Sequence, residues 1–585
     1  MNEENKSIDE LIGQSEKIGT IGSPSSTAEL TLDIMGTAVQ KKLVGELALF
    51  TFKQENVTNY ALGQITEIML RNTWLEDPTM RSLARQRGVV NPVSGQQDTH
   101  LGQMTISAVF KENGDEFDPS ILGTVPPTGT YIHLVSDEII DKLLKKYREE
   151  IFYLGHVYGS LPKLPMWFKH FATGPKGAGE AYHIGIFGKT GSGKSVLAKM
   201  IMLAYARHSH MAIFVIDPQG EFSKDIRGEF YGNFPLDLKG ALDALGKEIV
   251  LKSIKDLILD RWELFSEILY ESNFFERLSI PKGENRRIAC DILADKLKAK
   301  TNLDSLNSKE AFNKAWDILG EEKVQTVIYK SDTARKRFIA MYEESDRDEF
   351  YRDHWIPVAK FFSKDREGSI SVDELILQTL ELSVGKRPVV IIDLSKEQAE
   401  GILWSEMIQS LIIKRLFDGL INFAERGYKE NLSLNTLVIL DEAHRLAPRE
   451  NPDDEKKESV RAKLIDAVRT TRKYGLGWMF ISQTLSSLHK EIVEQLRIMF
   501  FGFGLALGTE FQALRELVGG DPNALKLYQS FRDPHSSFNE YNREYTFMTI
   551  GPISPLSFSG TPLFFTAFNN PEDFLRANRI EINKS

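Results

Sequence analysis

Residues Gly188, Lys189, Thr190, Gly191, Ser192, Gly193, Lys194 and Ser195 constrain this chain more than any other feature. They follow an apolar run, Tyr182 to Phe187, and precede a helix-like stretch, Val196 to Leu203. A strand, a glycine-rich turn and a helix start let successive backbone N–H groups close on phosphate oxygens, with the helix dipole behind them. The loop therefore reads as a nucleotide cradle. Lys194 would reach the β- and γ-phosphates of ATP, and Ser195 would hold Mg²⁺.

At 585 residues the chain is too long for one core, and three or four domains are expected. With 42% hydrophobic and 26% charged residues it has the composition of a soluble globular protein. Its one cysteine, Cys290, excludes an internal disulfide and suits a reducing cytoplasm. The first residues lack the layout of a signal peptide, and no apolar run approaches the ~20 residues that span a bilayer, so no membrane partner is expected. The net charge of −10 excludes a general coat of nucleic acid. Any DNA contact must be local, as in a channel lined by a few basic groups beneath an acidic outer surface.

Two grammars divide the chain. Residues 1–18 read as a polar, disordered tail. From 19 to 140, short alternating segments such as Ala28 to Ile34, Gly45 to Phe52, Tyr60 to Ile68, Met104 to Phe110 and Tyr131 to Val135 predict a small β-barrel. The polar stretch 71–100, with Arg71, Arg81, Arg85 and Arg87, reads as a loop. From about 141 to 222 and again from 386 to 540 the pattern is α/β. Apolar runs ending in polar or acidic residues suit strands buried on both faces of a parallel sheet. They include Ala212 to Ile216, Val389 to Ile392, Leu437 to Leu440, Trp478 to Ile481 and Ile498 to Phe501. Residues 223–385 read as a helical insertion, and 541–585 as C-terminal strands and a tail.

Hydrolysis needs more than a cradle. Leu437 to Leu440 ends in Asp441 and Glu442, which a buried strand would deliver to the sheet edge. Asp441 would join the Mg²⁺ shell and Glu442 would polarise the attacking water. Gln483 closes the next strand and could orient water or sense the γ-phosphate. Arg472, preferred over Arg469, is the candidate for stabilising transferring charge from a neighbouring subunit. Asp217 and Glu221 close another strand and are expected near the metal, with Asp393 as a strand end. His444 has no second histidine or cysteine at ligand spacing, so it does not read as a metal ligand.

These parts, in this order, resemble the HerA/FtsK branch of RecA-like P-loop ATPases, and HerA most closely. The resemblance rests on Gly188 to Ser195, Asp217 to Glu221, Leu437 to His444, and Arg472 to Gly477 followed by Ser482 and Gln483. Ile18 to Gly22 and Gly123 to Gly129 resemble the edges of the small barrel of HerA proteins. The resemblance implies a RecA-like core with an N-terminal barrel and an inserted helical subdomain. It implies a homo-hexameric ring that moves double-stranded DNA with ATP and Mg²⁺, Arg472 acting in trans. It also implies a nuclease or sirtuin-like effector partner, in DNA end processing or phage defence. The stretch from Arg445 to Lys463 reads either as a DNA-facing loop or as a solvated mixed-charge loop, because acids including Asp453 partly cancel the basic residues. A ring that binds nucleotide only to assemble an effector, and a protein-translocating ATPase of the secretion type, stay open as alternatives.

Overall fold

The alternating segments of the N-terminal part close on themselves. The computed structural model describes residues 6–87, 97–174, 176–229, 234–364, 368–381, 385–452, 454–519, 521–539, 543–557 and 560–582. Strands β1 (Lys17–Ile21), β2 (Glu29–Ile34), β3 (Leu47–Gln54), β4 (Val57–Arg71), β5 (Thr99–Asn113), β6 (Glu116–Ser120) and β7 (Tyr131–Leu134) pair antiparallel. β1 bonds both β2 and β7, and β2 also bonds β5, so β1-β2-β5-β4-β3-β7 is a closed barrel with β6 on its rim. Ile18, Leu32, Phe50, Ile65, Met104 and Ile132 fill the interior. Closure leaves these strands without free edges.

Two stretches differ from expectation here. Within the supposed tail, Ile8–Gln14 is a helix. Ser7 and Glu10 form a reciprocal capping box at its start, and Ile8 and Ile12 are buried. In the supposed loop 71–100, Thr73–Glu76 and Pro78–Arg87 are helical, the first capped by the Asn72 side chain. The side chain of Arg87 and residue Asp453 lie outside the described residues.

The apolar runs of the rest of the chain lie side by side. The strands are β8 (Ile151–Val157), β9 (Lys163–Trp167), β10 (Ile184–Phe187), β11 (Ala212–Asp217), β12 (Ile249–Ser253), β13 (Leu257–Ile258), β14 (Ile370–Ser371), β15 (Val389–Asp393), β16 (Thr436–Leu440), β17 (Leu476–Ser482), β18 (Ile498–Phe501), β19 (Tyr545–Ile550) and β20 (Leu563–Ala567). All but β13 and β14 form one sheet, ordered β12-β15-β11-β16-β17-β10-β18-β19-β20-β8-β9. From β12 to β18 it is parallel, and from β18 to β9 antiparallel. Successive residues point to opposite faces. Phe214, Val438 and Phe480 join one apolar layer, while Ile213, Ile439 and Ile481 join the other with the helix Lys194–Ala206. Both faces are covered, which is why these strands read as unbroken apolar runs rather than alternation.

β12 lies inside the stretch 223–385 expected to be helical. It is an edge strand of mixed composition with every residue half-buried, so it lacks the signature of the buried runs. β13 and β14 pair as a short parallel ribbon, and the residues between them are mainly helical. Phe265, Phe312, Trp316 and Trp355 pack these helices in one apolar layer with the sheet face and the helix Glu406–Lys429. The last stretch, 541–585, holds β19, β20 and the helix Pro571–Ala577. Among the described residues no helix is long and apolar enough to cross a membrane.

Two buried cations tie together the ends of the sheet opposite the phosphate loop. Lys247 Nζ donates to the carbonyls of His208 (2.8 Å), Met211 (2.6 Å), Arg387 (3.0 Å) and Ser209 (3.2 Å). Arg387 donates to the Leu434 carbonyl and, at 3.0 Å, to that of Leu380. These contacts join the starts of β11, β15 and β16. Burial pushes the Lys247 ammonium down to about 8. Removing a buried donor orphans its acceptors at about 1–3 kcal/mol each. Lys247→Met should therefore cost about 3 kcal/mol or more in urea unfolding, whereas an unchanged midpoint would show the cage to be dispensable.

Candidate active site

The phosphate loop leaves β10 at Phe187 and enters its helix at Lys194. Gly191 and Gly193 have φ of 81° and 87°, the left-handed region that favours glycine. Both also lie under side chains from the C-terminal part. A Cβ on Gly193 would meet the Tyr545 ring at 2.7 Å, and one on Gly191 would collide with His535 Nε2. Lys194 is buried and its Nζ donates to the Lys189 carbonyl at 3.0 Å. Lys189 N–H donates to the Phe503 carbonyl at 3.0 Å, which pins the loop to the segment after β18. The buried Ser192 Oγ has no hydrogen-bond partner. Ser195 occupies the first turn of the helix and Gly188 the last buried position before the loop.

β16 carries the acids to the same rim. It lies two strands from β10, with β17 between, so the loop and the acids are roughly 10 Å apart laterally. Asp441 and Glu442 are 5% and 9% exposed. Asp441 Oδ1 accepts the Glu442 N–H at 2.8 Å, and Glu442 has a left-handed backbone with φ of 51°. A non-glycine residue held there is strained, a feature that clusters at functional sites. Gln483 bridges the two sides. Its Nε2 donates to Glu442 Oε1 at 3.0 Å, and its Oε1 accepts from Thr190 Oγ1 at 3.3 Å.

The electrostatics show how closely the groups are gathered. Burial pushes the Asp441 carboxyl up to about 7, and Glu221, Glu442 and Asp217 push it the same way. Burial lowers the Lys194 ammonium against the opposing pull of Glu442, Asp441 and Glu221. Four carboxylates and one ammonium thus act on one another in a buried space. Ser195, Asp441 and their neighbours offer hard oxygen donors of the kind Mg²⁺ takes. Among the described residues, no three His, Cys, Asp or Glu side chains form a metal cage of their own. That fits Mg²⁺, which is held by one or two carboxylates together with substrate phosphates. The raised Asp441 carboxyl reflects burial first and the neighbouring carboxylates second.

Other predicted residues occupy more structural positions. Asp217 is fully buried, and its oxygens accept from Glu221 N–H (3.0 Å), Ser223 N–H (2.8 Å) and Ser223 Oγ (2.7 Å). It caps the helix Glu221–Ile226 and orients Glu221 toward the acids. Asp393 pairs with Arg227 at 2.7 Å. His444 Nδ1 lies 3.3 Å from Ser482 Oγ, whose hydroxyl donates to the Thr484 carbonyl, so Nδ1 is the donor. His444 Nε2 then faces Glu442 Oε2 at 3.5 Å. Arg469 pairs with Glu491. Arg472 is half exposed and lies 3.4 Å from Glu180, before the start of β17, whereas Gln483 follows its end. Seven residues of strand put roughly 23 Å between them. Arg472 does not reach the phosphate loop of its own chain.

The loop, the acid pair on the next strand but one and the bridging glutamine bring together the parts that nucleotide hydrolysis uses. Residues 181–418 match the family model described as the central domain of helicase HerA. No curated protein matches the chain. The chain has distant likenesses among solved structures. VirB4 of Thermoanaerobacter pseudethanolicus is 14% identical, with 72% of this chain and 96% of that one covered and a TM-score of 0.37. The bacterial conjugative coupling protein TrwBdeltaN70 is 13% identical, with coverages of 74% and 92% and a TM-score of 0.39. The genome packaging NTPase B204 of Sulfolobus turreted icosahedral virus 2, in complex with ATP-gammaS, is 10% identical, with coverages of 66% and 98% and a TM-score of 0.27.

His535 and Tyr545 were not legible as site residues, because they meet the loop across more than 340 positions and carry no local motif. The crowded acids yield a test. Folded Asp441 keeps its proton up to about pH 7, while the unfolded chain releases it near 3.8. Its contribution therefore turns unfavourable as pH rises between those values, and the penalty is complete above pH 7. Asp441→Asn should match the wild type in Tm below pH 3.8 and exceed it by a few degrees at pH 8. A lower Tm for the variant at pH 8 would contradict the crowding.

Proposed function

We propose that the chain is an ATP-driven translocase of double-stranded DNA that works as a homo-hexamer beside a nuclease or sirtuin-like effector in the cytoplasm, in DNA end processing or phage defence. The observation that carries the ring is the place of Arg472. It stands at the far end of β17 from its own phosphate loop, half exposed beside Glu180, which supports a role in a neighbouring copy's site rather than in its own. In this reading the barrel (19–140) and the helical insertion (223–385) flank an ATPase core of 141–222 and 386–540, and the C-terminal strands (541–585) brace the phosphate loop.

The chemistry follows from the residues. Residues 188–193 cradle the phosphates with backbone N–H groups, and Lys194 leaves the Lys189 carbonyl for the β- and γ-phosphates. Ser195 and Asp441 would hold Mg²⁺, which supplies charge neutralisation on the β- and γ-oxygens, with Glu221 and Asp217 behind them. Water oxygen bonds to the γ-phosphorus as the bond to the bridging oxygen breaks. The bridging oxygen leaves on ADP with the electron pair, and Glu442 accepts the water proton. Gln483 holds Glu442 and Thr190 in one relay, so it is placed to report the γ-phosphate to the base. Arg472 of the neighbour stabilises the charge on the moving phosphoryl group.

Duplex DNA should stimulate hydrolysis, and a flat rate across added DNA would count against translocation. Glu442→Gln should lower kcat by about 10²–10⁴-fold with ATP binding retained. Full effector activity with that variant would favour a ring that only assembles its partner. Lys194→Ala should weaken ATP binding about 10–100-fold by fluorescence titration. Mixing inactive Lys194→Ala and Arg472→Ala subunits should restore roughly a quarter of the sites if Arg472 acts across the interface. No recovery on mixing would place its action within one chain.

A further inference from the structure

Beside the acid pair, on the side away from the phosphate loop, lies a cavity of about 460 Å³. Asp441 and Glu442 line its floor, and Lys396, Trp404, Arg445 and Lys457 stand around it. Glu406 lines it as well. Lys396 and Lys457 are exposed, and among the described residues neither forms an ion pair. Arg445 differs from them. Its Nε approaches Glu442 Oε2 at 3.6 Å while its side chain is 59% exposed. Glu442 Oε2 is a buried oxygen with no hydrogen bond, its other near neighbour being His444 Nε2 at 3.5 Å, and Oε1 is already taken by Gln483. One guanidinium thus touches the catalytic carboxylate with Nε and faces the cavity with its remaining donors. Arginine is suited to such a double role, because its fork binds phosphate in bidentate fashion.

We propose that this cavity, with Lys396, Arg445 and Lys457 set against Glu406 and the acid pair, takes a phosphodiester of the DNA backbone and that Arg445 relays its arrival to Glu442. An incoming phosphate, drawn by Lys396 and Lys457, engages the guanidinium and pulls it from Oε2. With Gln483 still holding Oε1, the released oxygen is free to accept the water proton. Without DNA Gln483 holds one oxygen, the Arg445 guanidinium stands by the other, and hydrolysis idles. Trp404 offers a flat apolar wall beside the phosphate path. Arg445 is a positioning residue, acting through Glu442. The inference rests on the translocase reading above and adds to it the contact that couples DNA to turnover.

The test measures ATP hydrolysis by the full chain against duplex DNA and sodium chloride concentration, with DNA binding followed by anisotropy. Lys396→Ala/Lys457→Ala should leave the rate without DNA unchanged, raise the DNA concentration for half-maximal stimulation about tenfold and flatten its salt dependence by about two phosphate contacts. Arg445→Gln should hydrolyse ATP without DNA at nearly the stimulated rate and gain nothing from DNA it still binds. Arg445→Lys should restore part of the response, and ATP-analogue binding by each variant guards against misfolding. Full stimulation of Arg445→Gln by DNA, or an unchanged DNA and salt response in the double variant, overturns the relay while the translocase reading stands. Stimulation by inorganic polyphosphate as strong as by DNA overturns the phosphodiester assignment. A wild type indifferent to duplex DNA overturns the translocase reading and the relay together.

Discussion

The structure turns on the parallel pairing of β16, β17 and β10. Phe187 lies opposite Ser482, and Leu440 opposite Phe480, so three chain segments far apart in sequence reach one rim together. Because the strands are parallel, all three leave the sheet in the same direction. The phosphate loop, Gln483 and the acid pair are consequences of that pairing. So is the remoteness of Arg472, which precedes β17 and must lie at the other rim. A site assembled at one end of a parallel sheet excludes from itself whatever precedes the strands.

The same geometry explains the concentration of charge. Strand ends deliver Asp217, Asp441 and Glu442 into a space closed by buried apolar layers, where each carboxylate raises the cost of ionising the next. Lys194 is held in reserve on its own loop carbonyl rather than spent on an acid. Of the buried loop groups, Ser192 Oγ is left without a hydrogen-bond partner. The Glu442–Gln483–Thr190 relay spans the gap between the two halves before any ligand arrives.

What could be read from the sequence was whatever is local. Gly188 to Ser195, the run Leu437 to Leu440 with its two acids, and Trp478 to Gln483 each announce strand and site in one contiguous stretch. The period-two segments from Ala28 to Val135 likewise announce a barrel. The parts that escaped are non-local or disguised. β12 is a mixed-polarity edge strand that only its pairing with β15 identifies. The helix Ile8–Gln14 is short and polar in composition, and two buried isoleucines anchor it. Tyr545 reaches the phosphate loop through the antiparallel return of β19 beside β18, and His535 reaches it from the helical turn Pro534–Ser536. Nothing in the run up to Asp217 announces that its oxygens are taken by the start of the helix Glu221–Ile226.

The central claim is that Lys194 and Asp441 serve one bound nucleotide. The most direct measurement is a structure of the protein with Mg²⁺ and a non-hydrolysable ATP analogue. The account predicts that Lys194 Nζ moves from the Lys189 carbonyl onto the β- and γ-phosphates while Ser195 and Asp441 share the cation. A bound analogue with Lys194 still on that carbonyl and Asp441 in contact with neither metal nor phosphate would contradict it.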